Sequence, residues 1–145
     1  MKRRSFLKYT GILGAAAALF PFELLAAWEK NRFASEGFQK AMISNLGTAS
    51  VPVSEKVKLK IPAVATDSAA VPVEVSATVK ADEIYLFVEK NYTPLVYKLT
   101  PGAAMLPYFS MRIKMRESSP VHAVIKSGQT YYRATANCEV SAQAC

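Results

Sequence analysis

Two thiols, one imidazole and a run of three cations are the side chains in this 145-residue sequence whose types and spacing offer chemistry. Cys145 follows Ser141-Ala-Gln-Ala, a small and polar tail with no core to pack into. An ordinary thiol has a pKa of about 8.5, so only a few per cent is thiolate at neutral pH. Such a cysteine is accessible rather than activated, which suits a residue worked on by another protein's active site. Cys138, seven residues earlier, is the candidate partner for a disulfide. That bridge would close a small loop at the tail and staple nothing of the core. His122 sits between Val121 and Ala123 in a strand-like stretch and faces away from both, which reads as a half-exposed structural residue. Arg112, Lys114 and Arg116 alternate with Met111, Ile113 and Met115, so the cations share one strand face. They form either a solvated face or a surface for an anion or a partner.

Other chemistries find little support. Asp67, Asp82 and Glu83 fall in apparent loops, suggest no paired carboxylates and read as solvated. There is no glycine-rich phosphate loop and no Gly-x-Ser-x-Gly. Met105, Met111, Met115, His122 and the cysteines include soft ligands that suit copper. Met111 and Met115 fall on the apolar side of their strand, however, where packing is the default use of methionine. No catalytic residue, metal or cofactor is expected, and a copper-binding sandwich is a distant alternative.

The elements that must hold these residues are mostly strands. Val57, Leu59 and Ile61 alternate with three lysines, and Val71 to Val79 alternates again, with Pro72 placing the start of that strand at an edge. Ile84–Val88 is apolar on both faces and reads as central. Leu95–Leu99, Met111–Met115, Val121–Ile125 and Thr130–Ala134 follow, the last pair joined by a Ser127-Gly-Gln129 hairpin loop, and a further stretch runs toward Val140. About seven short strands without intervening helices predict an all-β, immunoglobulin-like antiparallel sandwich. Ahead of them Asn31–Leu46 reads as a helix, with Gly37 inside it and Gly47 as its stop. Trp28 and Phe33 are expected to pack on the domain.

The first residues read as an export signal. A cationic head with paired Arg3 and Arg4, the apolar run Gly11–Phe20 and the small residues Leu25-Ala-Ala27 come in the secretory order. The Arg-Arg-Ser-Phe-Leu-Lys string is similar to the twin-arginine consensus. Cleavage is expected after Ala27. The run is interrupted by Pro21 and Glu23 and falls short of the ~20 residues of a membrane span. Removing Lys2, Arg3, Arg4, Lys8 and Glu23 takes the formal charge from +7 to +4, too weak and dispersed for nucleic acid. The expected organisation is a twin-arginine signal over 1–27, a helical segment over 28–50, a sandwich over 51–140 and an arm over 141–145. Folded export of a chain poor in cofactor ligands points to a partner that folds with it.

Lys56-Val-Lys-Leu-Lys-Ile-Pro62, Val71-Pro-Val-Glu-Val75, Val88-Glu-Lys-Asn91 with Pro94-Leu95, and Arg112-Ile-Lys-Met115 together resemble SoxY. That family provides the sulfur-carrier subunit of the periplasmic thiosulfate-oxidising (Sox) system. The resemblance implies an immunoglobulin-like sandwich paired with a SoxZ-like subunit. It also implies a cysteine on a C-terminal arm that takes up thiosulfate as a cysteine S-thiosulfonate. A Sox cytochrome, a sulfate-releasing hydrolase and a sulfane dehydrogenase would act on it as transient partners. Alignment of the last strand puts Cys145 on the carrier position. The family's arm reads Gly-Gly-Cys-Gly-Gly, whereas Gln143 and Ala144 stand here, and Cys138 is extra to the pattern. A structural or interaction subunit that no longer carries sulfur is the alternative reading.

Overall fold

The structure, a computed structural model, describes Phe33 and residues 36–141. The expected signal segment, Trp28 and the arm residues 142–145 lie outside the described residues. Among the described residues one helix, α1 (Phe38–Leu46), precedes eight strands: β1 (Val57–Lys60), β2 (Val64–Ala65), β3 (Val71–Ala77), β4 (Glu83–Val88), β5 (Leu95–Leu99), β6 (Tyr108–Ile113), β7 (Ser119–Ser127) and β8 (Thr130–Val140). They form two sheets, ordered β1-β3-β6 and β2-β8-β7-β4-β5, the sandwich that the alternation predicts. All ladders are antiparallel except the short β2–β8 pair, whose two residues carry too little pattern to be foreseen.

Alternation explains which residues face inward. Val71, Val73 and Val75 of β3 meet Ile84, Leu86 and Val88 of β4 and Val121, Ala123 and Ile125 of β7 between the sheets. Each valine, leucine or isoleucine among them contributes about 1.5–3 kcal/mol through removal of its apolar surface from water. The opposite face of β4 is also apolar. Tyr85 and Phe87, with Val124 and Leu95, form a second core under Ala41, Met42 and Leu46 of α1. β4 is therefore buried on both faces, as its composition predicts.

Two local expectations change, and one is refined. The helix α1 begins after Gly37, which adopts a positive φ of 81° at the cap and so is not inside it; the expected start, Asn31, lies outside the described residues. The predicted stop holds: Gly47, at φ 75°, donates its N–H to Ile43 O at 2.8 Å, a left-handed closure suited to glycine. β3 is the central strand of its sheet, but its start is an edge on the β1 side, as Pro72 predicts. Its Pro72 is tolerated because β1 pairs only from Glu74 to Ala77, so no ladder bond is asked of the proline on that side. β8 is one continuous eleven-residue strand whose register with β7 runs unbroken from Thr130 to Cys138.

Candidate functional site

β8 carries the chain out of the sandwich, and its last residues are firmly held. Glu139 N–H donates to Ala63 O at 2.8 Å, Val140 N–H to Ser118 Oγ at 2.9 Å and Ser141 N–H to Ala65 O at 3.0 Å. The Ser141 hydroxyl adds a second bond to Ala65 O at 3.2 Å. The root of the arm is thus fixed between β2 and the start of β7. Cys145, the predicted attachment point, lies four residues further on, outside the described residues.

Cys138 is a core residue and not part of a loose tail. Because β8 continues to Val140, period two turns Ala134 and Cys138 inward, and Cys138 is fully buried against the inter-sheet core. Burial pushes its thiol pKa up, only partly offset by a backbone hydrogen bond at Ala65. In the folded chain this sulfur is a small apolar side chain, a poor nucleophile.

Arg112, Lys114 and Arg116 are exposed, and Ile113 and Met115 between them are buried, as the alternation predicts. Only Arg112 belongs to β6, however; Lys114 and Arg116 sit on the segment after it. That segment is tied to the β4–β5 turn. Asn91 donates from Nδ2 to Lys114 O at 2.8 Å, and its Oδ1 accepts the Arg116 N–H at 2.9 Å. It is also tied to the segment before β3, where Ser68 O accepts the Met115 N–H at 2.8 Å. The Arg116 guanidinium lies 4.2 Å from the centre of the Tyr92 ring, a stacking worth about 0.5–1 kcal/mol at an exposed position. Together these pieces bound an open cleft of about 720 Å³. All three cations line it, and among the described residues no carboxylate does. Asn91, Tyr92 and Ser68 are the residues that sequence reasoning missed here. The turn Asn91-Tyr-Thr-Pro94 is readable in the sequence, but its docking onto the chain after β6 is a long-range contact.

His122 is not half-exposed. It faces outward from the five-stranded sheet, but α1 covers that face, and the Phe38 ring stacks on the imidazole at 4.6 Å. Nδ1 lies 2.9 Å from Thr135 Oγ1, and Nε2 is 3.6 Å from Glu89 Oε2, beyond hydrogen-bond distance. Burial lowers its pKa, aided by Arg133, and Glu89 opposes only in part. The neutral imidazole is a packing element of the helix–sheet core. Val124, on the same face of β7, is the available signal that this face is covered.

Asp67 and Asp82 stand in loops and accept exposed backbone hydrogen bonds, whereas Glu83 is not in a loop but opens β4. Asp67 Oδ1 accepts the Ala69 N–H at 2.9 Å, and Asp82 Oδ2 accepts the Gly128 N–H at 2.7 Å. Glu83 accepts a 2.7 Å hydrogen bond from the Tyr85 hydroxyl and pairs with Lys98 at 3.5 Å and Lys126 at 3.6 Å. Burial raises its pKa, but the Tyr85 bond and the two lysines outweigh burial, and the carboxyl is held below its usual range. The soft side chains are dispersed. Met115 is buried between the sheets, His122 lies under the helix on the far face of β7, and Met105 is in an exposed loop. Among the described residues no three His, Cys, Asp or Glu side chains cluster as metal ligands, and no helix is long and apolar enough to cross a membrane.

Residues 43–145 match the family model described as sulfur oxidation protein SoxY. Among solved structures, the sulfur carrier protein SoxY from Chlorobium limicola f thiosulfatophilum is similar at 28% identity and a TM-score of 0.61, covering 71% of this chain and 94% of that one. A superoxide reductase (neelaredoxin) from Ignicoccus hospitalis superimposes with a TM-score of 0.53 at 13% identity, over 81% of this chain and all of that one; this likeness is one of fold. No curated protein matches in sequence. With the match running through both sheets and on to Cys145, the chain belongs to the SoxY family of sulfur oxidation proteins.

Proposed function

We propose that this chain is a periplasmic sulfur carrier that holds thiosulfate-derived sulfur on Cys145 while partner enzymes transform it. The supporting observation is that the family match extends through Cys145, the first thiol beyond a strand whose root is pinned at Ser141. The other thiol, Cys138, is withdrawn into the core. Loading joins the Cys145 sulfur to the sulfane sulfur of thiosulfate. The thiol proton is released and two electrons leave to a partner cytochrome, giving a cysteine S-thiosulfonate with one negative charge. Hydrolysis by a second partner then removes the terminal sulfonate as sulfate, and a sulfane dehydrogenase oxidises the sulfur left behind. The carrier turns nothing over alone. Export by the twin-arginine route and pairing with a SoxZ-like subunit complete the reading, since a heterodimer folded before export needs only one signal.

Coexpression with a SoxZ-like subunit separates carriage from assembly. Cys145→Ser should still pull the partner down and should take up no thiosulfate in the presence of the oxidising cytochrome. Adduct formation undiminished in Cys145→Ser contradicts the reading. Assembly intact with no adduct even on the unsubstituted chain would instead indicate an interaction subunit without carriage.

A further inference from the structure

The first turn of α1 has no side-chain cap and no acidic residue to offset its open N–H groups. A helix of nine residues does not persist in water by itself, so α1 depends on the sheet beneath it. At its start that support is aromatic. The Phe38 ring lies on His122, with centroids 4.6 Å and planes 18° apart, and meets Phe87 edge-on at 6.0 Å. Five residues before Phe38, Phe33 packs on the same core and also lines the basic cleft. The contact that holds the helix start is therefore a few residues from the cleft wall.

The charges around the imidazole conflict. Glu89, on the segment after β4, brings Oε2 to 3.6 Å from Nε2, which has no hydrogen bond. Arg133 on β8 acts against a positive charge, and Thr135 on the same strand lies 2.9 Å from Nδ1. Phe87, opposite His122 in the β4–β7 ladder, is apolar. From α1 comes the face of Phe38, while Lys40 is exposed. That ring face attracts a cation weakly, and Glu89 is 39% exposed, so its attraction is screened. His122 itself is only 6% exposed. Burial and Arg133 outweigh both attractions, and the covered ring stays neutral. A proton is accepted readily once water reaches the ring, and the first turn of α1 is part of the cover that keeps water away.

We infer that His122 is an acid-operated latch: its protonation releases the first turn of α1 from the sheet and draws Phe33 out of the wall of the basic cleft. With the turn docked the imidazole is dry and neutral; with the turn lifted it is hydrated and charged. The latch is fully closed above about pH 6.5, the ordinary value, and loosens as pH falls toward the lowered value of the covered ring. Arg112, Lys114 and Arg116 stay in place, because their segment is tied to Asn91 and Ser68 rather than to α1. Acid thus opens the cleft by removing an apolar wall. Hydrolysis of a cysteine S-thiosulfonate gives a persulfide, sulfate and one proton, so the proposed carriage generates acid; the latch itself does not rest on that reading.

The test is native-state amide hydrogen exchange on the unloaded chain without its expected export signal, between about pH 7.5 and about pH 5. The amide of Ala41, which donates to Gly37 O at 3.0 Å, reports the helix start. Below about pH 6.5 its protection should fall by up to about tenfold per pH unit, the slope for one proton. This opening should depend little on urea, because a lifted turn exposes little surface. Amides of β7 and β8 should instead exchange through the urea-dependent global opening. The nuclear magnetic resonance signals of the Phe33 ring should shift over the same pH range. In His122→Gln the pH response of Ala41 should vanish. Glu89→Gln, which removes the attraction for the cation in the closed state, should extend the fall to lower pH and enlarge the total loss; it decides alone if His122→Gln does not fold. An Ala41 amide that stays protected while the His122 ring titrates overturns the latch, because the cation is then accommodated in place. So does exchange of α1 with the urea dependence of β7 and β8, a pH response that survives His122→Gln, or one that Glu89→Gln leaves unchanged. Each of these outcomes leaves carriage on Cys145 standing.

Discussion

At one end of the sandwich, two environments lie within a few residues of each other. Inside, Cys138 is enclosed by the inter-sheet core, where its thiol is kept neutral by burial. Outside, the cleft over β6 exposes three cations, with no carboxylate on its walls among the described residues. The interior is stabilised by packing and tolerates no charge. The cleft is defined by charge and contributes little apolar burial of its own. The contrast shows how a chain with two cysteines can take one out of reach of reagents. β8 need only run long enough for period two to turn Cys138 inward before the chain leaves the sheet.

Substitutions that separate packing from charge test this contrast. Ile125→Ala, in β7 and fully buried, should cost about 2–5 kcal/mol in denaturant unfolding, through lost transfer energy and the cavity left behind. Glu83→Gln should cost about 1–2 kcal/mol at neutral pH, because Lys98 and Lys126 lose their partner while the Tyr85 bond weakens. The folded Glu83 carboxyl lies below its ordinary value, so its contribution is complete above that value and is lost as pH falls through the folded one. The gap between Glu83→Gln and the unsubstituted chain should therefore narrow in acid. His122 behaves in the same direction for a different reason. Its pKa is lowered in the fold from an ordinary 6.5, so the unfolded chain binds the proton first. Stability should be complete above about pH 6.5 and decline below it, until the folded imidazole also protonates beside Glu89 and Arg133. In His122→Gln that slope should vanish. Smallest of all, Arg112→Ala, Lys114→Ala and Arg116→Ala should each change stability by less than about 0.5–1 kcal/mol, as exposed side chains do. A large loss from any of the three would place it in the packing and erase the contrast.

Much of the architecture is legible because half-buried strands alternate. Val71-Pro-Val-Glu-Val75 and Met111-Arg-Ile-Lys-Met115 announce both their strand character and their inward faces, and Ile84–Val88 announces a strand covered on two sides. The continuity of β8 is not legible, because Ala134-Thr-Ala-Asn137 is small and polar where the strand needs no large side chain. Cys138 consequently reads as tail rather than core. His122 departs from its expected exposure through a long-range cause: Phe38 arrives from a helix 84 residues earlier in the chain to stack on it. The three cations are legible as a set, but the cleft depends on Asn91 and Ser68 meeting the segment after β6, and such tertiary contacts leave no periodic trace.

Carriage is tested most directly by peptide-level mass spectrometry of the native chain after incubation with thiosulfate and the oxidising cytochrome. The expected result is one thiosulfate-derived adduct on the peptide holding Cys145, with the peptide holding Cys138 unmodified until the fold is opened with denaturant. An adduct on native Cys138, or a Cys145 that stays unmodified while electrons reach the cytochrome, would contradict it.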